Sequence, residues 1–179
     1  VQIGGASHTL TRSVGDAGDV YARSGDAAGN EIFEAGASVR ATSAGGADVP
    51  AFDVSVAAPA EPVISEPAWG FGDQHDRTTP LTVRWSGTGT ADVVVNVLPV
   101  TLFPTPGIGE GNALTCVVPD TGSFTIPAAA LGRMPSEGGA LGNTVALTIV
   151  RTSVSTEVAD GASVSVSAIA SHTIVGALR

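Results

Sequence analysis

The segment from Leu81 to Val97 carries the strongest fold signal of the chain. Apolar and polar residues alternate over Leu81–Trp85, which is the period of a strand with one face in a core. A loop with two glycines follows, and Val93–Val97 then repeats the alternation. The segment therefore predicts a β-hairpin, with Trp85 directed into a hydrophobic core.

The same alternation recurs along the whole chain. Short apolar-alternating segments separated by Gly-, Pro- and Asp-containing turns follow one another at intervals of about 8–12 residues, the spacing of sandwich folds. The only predicted helix lies near residues 127–134, where Pro127 stands in the first turn and Pro135 ends the helix. We therefore expect an all-β protein with two immunoglobulin-like antiparallel β-sandwich domains and one short helix.

A proline-rich segment divides the chain. Pro59, Pro62 and Pro67 stand within the stretch AAPAEPVISEP at residues 57–67, and proline interrupts regular strand pairing. The sequence predicts an N-terminal β-domain over residues 1–58 and a C-terminal sandwich over residues 59–179. The first domain is short for a sandwich, so we expect it to be incomplete or completed by a strand of a partner.

Charge excludes some partners. The chain has 179 residues and a net charge of −9, and all of its eight basic residues are arginines. No basic patch is available for nucleic acid or for an anionic membrane surface, and no apolar run reaches the length of about 18 residues that spans a membrane. Because the chain starts at Val1 without a leader, we expect a mature product or a fragment.

Five segments together resemble a known arrangement: Gly45–Phe52, Leu81–Trp85, Asp92–Val95, Leu114–Cys116 and Gly122–Leu131. Their order is similar to that in tandem immunoglobulin-like or fibronectin-like β-sandwich modules of secreted proteins and lipoproteins of myxobacteria-like Gram-negative bacteria. The resemblance implies a sandwich fold and an extracellular, periplasmic or outer-membrane location. It implies no assigned activity.

The densest polar cluster is GDQHDR at residues 72–77. Asp73 and Asp76 are candidate Ca²⁺ ligands, although Ca²⁺ takes six to eight oxygens and this loop offers about three. The simpler interpretation is a solvated loop at the end of a sandwich. A second Ca²⁺ hypothesis uses the acidic turns at residues 16–19 and 26–31. No other cofactor is expected.

Aromatic residues near this loop suggest a ligand site. Trp69, Phe71 and His75 are candidate ligand-binding residues, and Phe103 lies in another loop that could join them at one end of the domain. The chemistry that such aromatic side chains would suit is stacking on a carbohydrate.

Catalytic motifs are missing from the sequence. His8, His75 and His172 have no zinc-peptidase spacing, and no G-x-S-x-G motif occurs. The single cysteine, Cys116, is in phase with Leu114 and Val118, which predicts a core thiol. We therefore expect no enzyme activity.

These observations favour a non-catalytic extracellular or cell-surface structural or interaction module, such as an adhesion module, in a multimeric assembly. Its partners would be other proteins or further copies of the chain, without nucleic acid and without a membrane span. The alternative hypothesis is a carbohydrate- or ligand-binding module that uses the loop aromatics. An unpaired strand edge or a defined multimer would favour the first hypothesis.

Overall fold

The computed structural model describes residues 2–3, 6–7, 11–15, 18–22, 33–46, 50–70, 72–89, 91–101, 107–108, 111–134 and 143–179. These residues form mostly β-strands with one short helix, so the all-β prediction is confirmed. The elements are β1 Gln2–Ile3, β2 Ala6–Ser7, β3 Thr11–Gly15, β4 Gly18–Ala22, β5 Ser38–Ala44, β6 Ala51–Ala57, β7 Ile64–Glu66, β8 Gln74–His75, β9 Leu81–Trp85, β10 Asp92–Thr101, β11 Gly107–Ile108, β12 Leu114–Pro119, β13 Ser123–Ile126, α1 Ala128–Leu131, β14 Asn143–Ala159 and β15 Ala162–Leu178.

The described strands are arranged in four sheets. One sheet has the order β2-β1-β5-β6, a second has β11-β10-β14-β15-β8 with β12 also paired to β10, a third has β13-β9-β7, and β3 and β4 form a separate pair. Almost all the pairs are antiparallel, and β8 is the exception because it runs parallel to β15.

The chain divides into two compact units. The first unit comprises Val1–Ala60 and Thr152–Ile169, and the second comprises Glu61–Arg151 and Ala170–Arg179. The predicted domains, residues 1–58 and 59–179, differ from these units in assigning 152–169 to the C-terminal part. Their boundaries stay a prediction.

The second unit is built around one hydrophobic core to which two sheets contribute. The alternation of apolar residues directs one face of each strand inward, and Val83, Val93, Val97 and Ile126 are fully buried. From the helical segment, Leu131 and Met134 join the same core. Trp85 is 5 % exposed, so its predicted core position is confirmed.

The predicted hairpin of Leu81–Val97 is wrong. β9 pairs with β13 and β7, whereas β10 pairs with β11, β12 and β14. The connection between β9 and β10 thus passes from one sheet to the other. The alternation does not distinguish these cases, because two strands in facing sheets bury the same set of positions as two strands in one sheet.

The first unit has a smaller core. β5 and β6 pair in register from Ser38 opposite Ala57 to Ala44 opposite Ala51. Val39 and Ala58 are buried together with Ala168 of β15, and Phe33, Ala37, Val56 and Val166 pack against them. Alanine and valine side chains dominate this core.

β14 and β15 form one long hairpin. Both strands have 17 residues, and they are joined by the two-residue turn Asp160–Gly161, in which both residues have positive φ. Such φ values are those of a type I′ turn, and Asp-Gly is one of its preferred sequences. β14 therefore extends without interruption from Asn143 to the turn after Ala159.

The helix prediction is partly right: α1 covers Ala128–Leu131, with Pro127 as its N-cap residue, and Pro135 lies outside the described residues. No helix in the described ranges has the length and apolar character needed to cross a membrane.

Candidate functional sites

A buried polar cluster lies in the second unit and consists of Trp85, Asp120 and Arg151. The indole N–H of Trp85 donates to Oδ1 of Asp120 at 2.8 Å. Arg151 donates from Nε to Oδ2 of Asp120 at 2.7 Å and from a terminal nitrogen to Oδ1 at 3.0 Å. The side chains of Asp120 and Arg151 are only 1 % and 9 % exposed, so this ion pair is buried.

Neighbouring backbone completes the cluster. Arg151 also donates to the carbonyl oxygen of Ser86 at 3.3 Å, and the N–H of Gly89 donates to the carbonyl oxygen of Asp120 at 3.2 Å. A Cβ atom at Gly89 would lie 2.7 Å from Oδ2 of Asp120, so glycine is needed there. The polar side chains of Trp85, Asp120 and Arg151 thus all have hydrogen-bond partners within the protein, which indicates a structural role.

The electrostatics of Asp120 follow from these contacts. Burial is the largest single effect and raises the pKa of Asp120, but the hydrogen bonds from Arg151 and Trp85 and the charge of Arg151 together outweigh it. The pKa of Asp120 therefore lies below its usual value, and the carboxylate stays ionised at neutral pH.

Sequence reasoning missed this cluster, although a signal was present. Arg151 continues the phase of Val145, Leu147 and Ile149, so the alternation directs a charged side chain into the core. A charge at an inward position requires a buried partner. The sequence does not show that this partner is Asp120.

The polar loop at residues 72–77 is held by its own hydrogen bonds. Oδ2 of Asp73 accepts from the N–H of Gly70 at 2.7 Å. Oδ1 of Asp76 accepts from the N–H and the hydroxyl of Thr78 at 2.9 and 2.7 Å, and these bonds lower the pKa of Asp76. Both carboxylates thus shape turns, as aspartate commonly does.

His75 has a similar position in the backbone network. It belongs to β8, and its carbonyl oxygen accepts from the N–H of Arg179 at 3.1 Å. Its ring Nε2 lies 3.2 Å from the carbonyl oxygen of Thr79. The residues of this loop therefore attach it to the end of β15.

Only part of the predicted aromatic site lies among the described residues. Trp69 is partly buried and packs against the core. Its ring lies on the backbone of Gly176, where a Cβ atom would be only 2.5 Å from Cδ2 of Trp69. Phe71 and Phe103 lie outside the described residues. Ligand binding by Trp69, Phe71 and His75 stays a prediction.

Among the described residues, no group of three or more His, Cys, Asp or Glu side chains is gathered as a metal site would need. Ca²⁺ binding by Asp73 and Asp76 stays a prediction, and the acidic turns at 16–19 and 26–31 lie mostly outside the described residues.

Cys116 is half-buried, and burial raises the pKa of its thiol, which makes it a poor nucleophile at neutral pH.

A groove runs beside the start of β12. Its volume is 460 Å³, and it is lined by Asn112, Ala113, Leu114, Pro127, Ala129, Ala130, Arg133 and Met134. The side-chain amide of Asn112 donates to the carbonyl oxygen of Arg133 at 3.0 Å. This hydrogen bond links the residues just before β12 to the residues just after α1. Among the described lining residues, most are apolar and Arg133 is the one with a charged side chain.

The part of the β14–β15 hairpin at residues 152–169 presents an uncharged surface, which we call the ribbon face. Strand alternation and the hydrogen bond between the hydroxyls of Thr156 and Ser165 at 2.8 Å place eight residues on it. They are Thr152, Val154, Thr156, Val158, Ser163, Ser165, Ser167 and Ile169. The exposed fractions of Val154, Val158 and Ile169 are 60 %, 72 % and 56 %, so three large apolar side chains face solvent on one surface.

Comparison of the chain with protein-family models, with curated proteins and with solved structures gives no match.

Proposed function

We propose that the chain is a non-catalytic interaction module of an extracellular or cell-surface assembly, and that it associates with further copies of itself through the ribbon face. The observation that carries this proposal is the exposure of Val154, Val158 and Ile169 on one uncharged surface. Exposed apolar residues are ordinary when scattered, whereas a grouped set marks a contact surface.

The edges of the ribbon support the same role. β10 pairs with β14 only as far as Arg151, and β8 pairs with β15 only at Ala177 and Leu178. Among the described strands, both outer edges of residues 152–169 are therefore unpaired. An open edge is a template for pairing with another chain.

Charge favours a second copy as the occupant. Each chain has a net charge of −9, so two copies repel each other in most of their relative orientations. The ribbon face carries no charged residue, and two such faces can therefore approach without placing like charges together. Its valine, isoleucine, serine and threonine side chains suit the dry packing of one sheet face on another.

The second unit is proposed to be an immunoglobulin-like β-sandwich, because β9 and β13 on one side and β10, β12 and β14 on the other contribute to one core. The first unit is proposed to be a second, smaller sandwich. An acidic surface and the resemblance to secreted bacterial modules support an extracellular, periplasmic or outer-membrane location.

The test is the native mass of the purified chain by light scattering over a range of concentrations. We expect a mass above that of a monomer, and we expect Val158→Glu to restore the monomer by adding a buried charge to the contact. The matched control is Ser38→Glu, which adds the same charge at an exposed position of β5 in the same unit.

The proposal is wrong if the wild-type chain is a monomer at every concentration up to about 100 μM, a limit at which even a weak association of about 5–6 kcal/mol would be visible. It is also wrong if Ser38→Glu disrupts the multimer as strongly as Val158→Glu does.

A further inference from the structure

We propose that the groove beside β12 binds the C-terminal segment of an extended peptide, with the peptide carboxylate on Arg133 and its last apolar side chain in the groove. The peptide would add to β12 as an antiparallel strand. This site lies in the second unit and is independent of the self-association through the ribbon face.

The first observation is an exposed cation, Arg133, for which no carboxylate partner is found among the described residues. Arg40, Arg84 and Arg151 each form an ion pair with a carboxylate. The guanidinium of Arg133, in contrast, makes no hydrogen bond or ion pair to any described residue. Because Arg133 lines a mainly apolar groove, it suits a carboxylate attached to an apolar body, and a guanidinium can bind both oxygens of such a carboxylate at once.

The second observation is the groove itself. Leu114, Ala130 and Met134 supply apolar walls, and the volume of 460 Å³ is in the range of ligand pockets. That space accepts a side chain such as leucine or phenylalanine. The polar atoms at its border, from Asn112 and Arg133, are of the kind that fix the orientation of a ligand.

The third observation is the open edge of β12. Among the described strands, β12 pairs only with β10, so its second row of backbone N–H and C=O groups has no strand beside it. Val117, in the middle of β12, is 65 % exposed. An added strand would pair with this edge, and one of its side chains would cover Val117.

Strand polarity connects these three features. The groove includes Asn112–Leu114, and Leu114 is the first residue of β12. An antiparallel strand on β12 runs towards this end, so its C-terminus reaches the groove and its carboxylate meets Arg133. A parallel strand would bring an ammonium group to the same cation, which is unfavourable.

The experiment uses a fluorescein-labelled hexapeptide of alternating threonine and valine that ends in leucine with a free carboxylate. Its binding to the full chain is followed by fluorescence anisotropy, and the same peptide with an amidated C-terminus is titrated in parallel. We expect the acid to bind at least tenfold more tightly than the amide. Arg133→Gln should remove that difference, and Ala130→Trp should abolish binding by filling the groove.

The matched control is Arg84→Gln, which removes an exposed arginine of β9 from the same unit and should leave both affinities unchanged. Equal binding of acid and amide to the wild-type chain, or no binding of either, would overturn the proposal. Octanoate that displaces the peptide at the same concentration as an unlabelled peptide would also overturn it, because strand pairing would then contribute nothing.

Discussion

Trp85 and Asp120 are hydrogen-bonded across the core of the second unit, from the indole N–H to Oδ1 at 2.8 Å. Trp85 ends β9 in one sheet, and Asp120 directly follows β12 in the other sheet. Arg151 of β14 binds the same carboxylate. One aspartate therefore joins three strands of two sheets, and its removal affects all of them.

Asp120→Asn should destabilise the second unit strongly. The substitution leaves the buried guanidinium of Arg151 without a counter-charge, and loss of one partner of a buried ion pair costs about 3–5 kcal/mol. Urea unfolding followed by tryptophan fluorescence measures this loss, and it reports the second unit because both tryptophans of the chain belong to it.

Glu66→Gln is the matched control for Asp120→Asn. It breaks the ion pair between Glu66 and Arg84 in the same unit, but both of these side chains are more than half exposed. Exposed pairs contribute about 0–1 kcal/mol. Equal losses for the two variants would show that the Asp120–Arg151 pair does not stabilise the unit.

The contribution of Asp120 should depend on pH. Its pKa is lower in the folded chain than in the unfolded chain, where it is about 3.9, because the hydrogen bonds and the charge of Arg151 outweigh the effect of burial. The stabilisation is therefore present above pH 4 and is lost as the pH falls through the folded-state pKa. The difference in unfolding free energy between wild type and Asp120→Asn should shrink below pH 4. A difference that is constant from pH 7 to pH 3 would contradict this assignment.

How far the sequence predicted the fold depends on the range of the information needed. Alternation is a local property, and it gave the strands and the buried face of Leu81–Trp85 correctly. Pairing is not local: the same inward residues fit a hairpin or two facing sheets, and only the whole set of strands decides between them. The Asp160–Gly161 turn is also a local signal, because Asp-Gly is a preferred sequence of a type I′ turn.

The candidate sites show the same limit. The polar residues at 72–77 predict a cation site, which stays a prediction, while the hydrogen bonds that Asp73 and Asp76 accept from neighbouring residues are contacts that a residue count cannot show. The groove lining joins residues 112–114 to residues 127–134. No local pattern predicts this contact, because it depends on where α1 packs.

Gly176→Ala should displace Trp69. The added methyl group would lie 2.5 Å from Cδ2 of the Trp69 ring, and overpacking of this kind costs about 1–3 kcal/mol. Tryptophan fluorescence should show the displacement, and urea unfolding should show the cost. In a Trp69→Ala background the same substitution should cost little, because the clash is absent.

Gly70→Ala provides the control for Gly176→Ala. Its added methyl group would lie 3.6 Å from Oδ2 of Asp73, an ordinary contact, so the free energy of unfolding should hardly change. If Gly176→Ala were as harmless as Gly70→Ala, or if its cost persisted in the Trp69→Ala background, the contact between Trp69 and Gly176 would not explain the need for glycine.

Gly161→Ala should loosen the hairpin that carries the ribbon face. Gly161 has a φ of 82°, and a residue with a Cβ atom in this region costs about 1–2 kcal/mol. Nothing lies within 4 Å of the added methyl group, so the whole effect comes from the backbone. Hydrogen exchange of the amides at residues 152–169 should become about 5- to 30-fold faster.

Gly46→Ala is the control for Gly161→Ala and lies in the same unit. It adds a methyl group that also meets nothing within 4 Å, but Gly46 does not have a positive φ, so exchange should be unchanged. Similar protection in both variants would mean that the turn does not limit the opening of the hairpin.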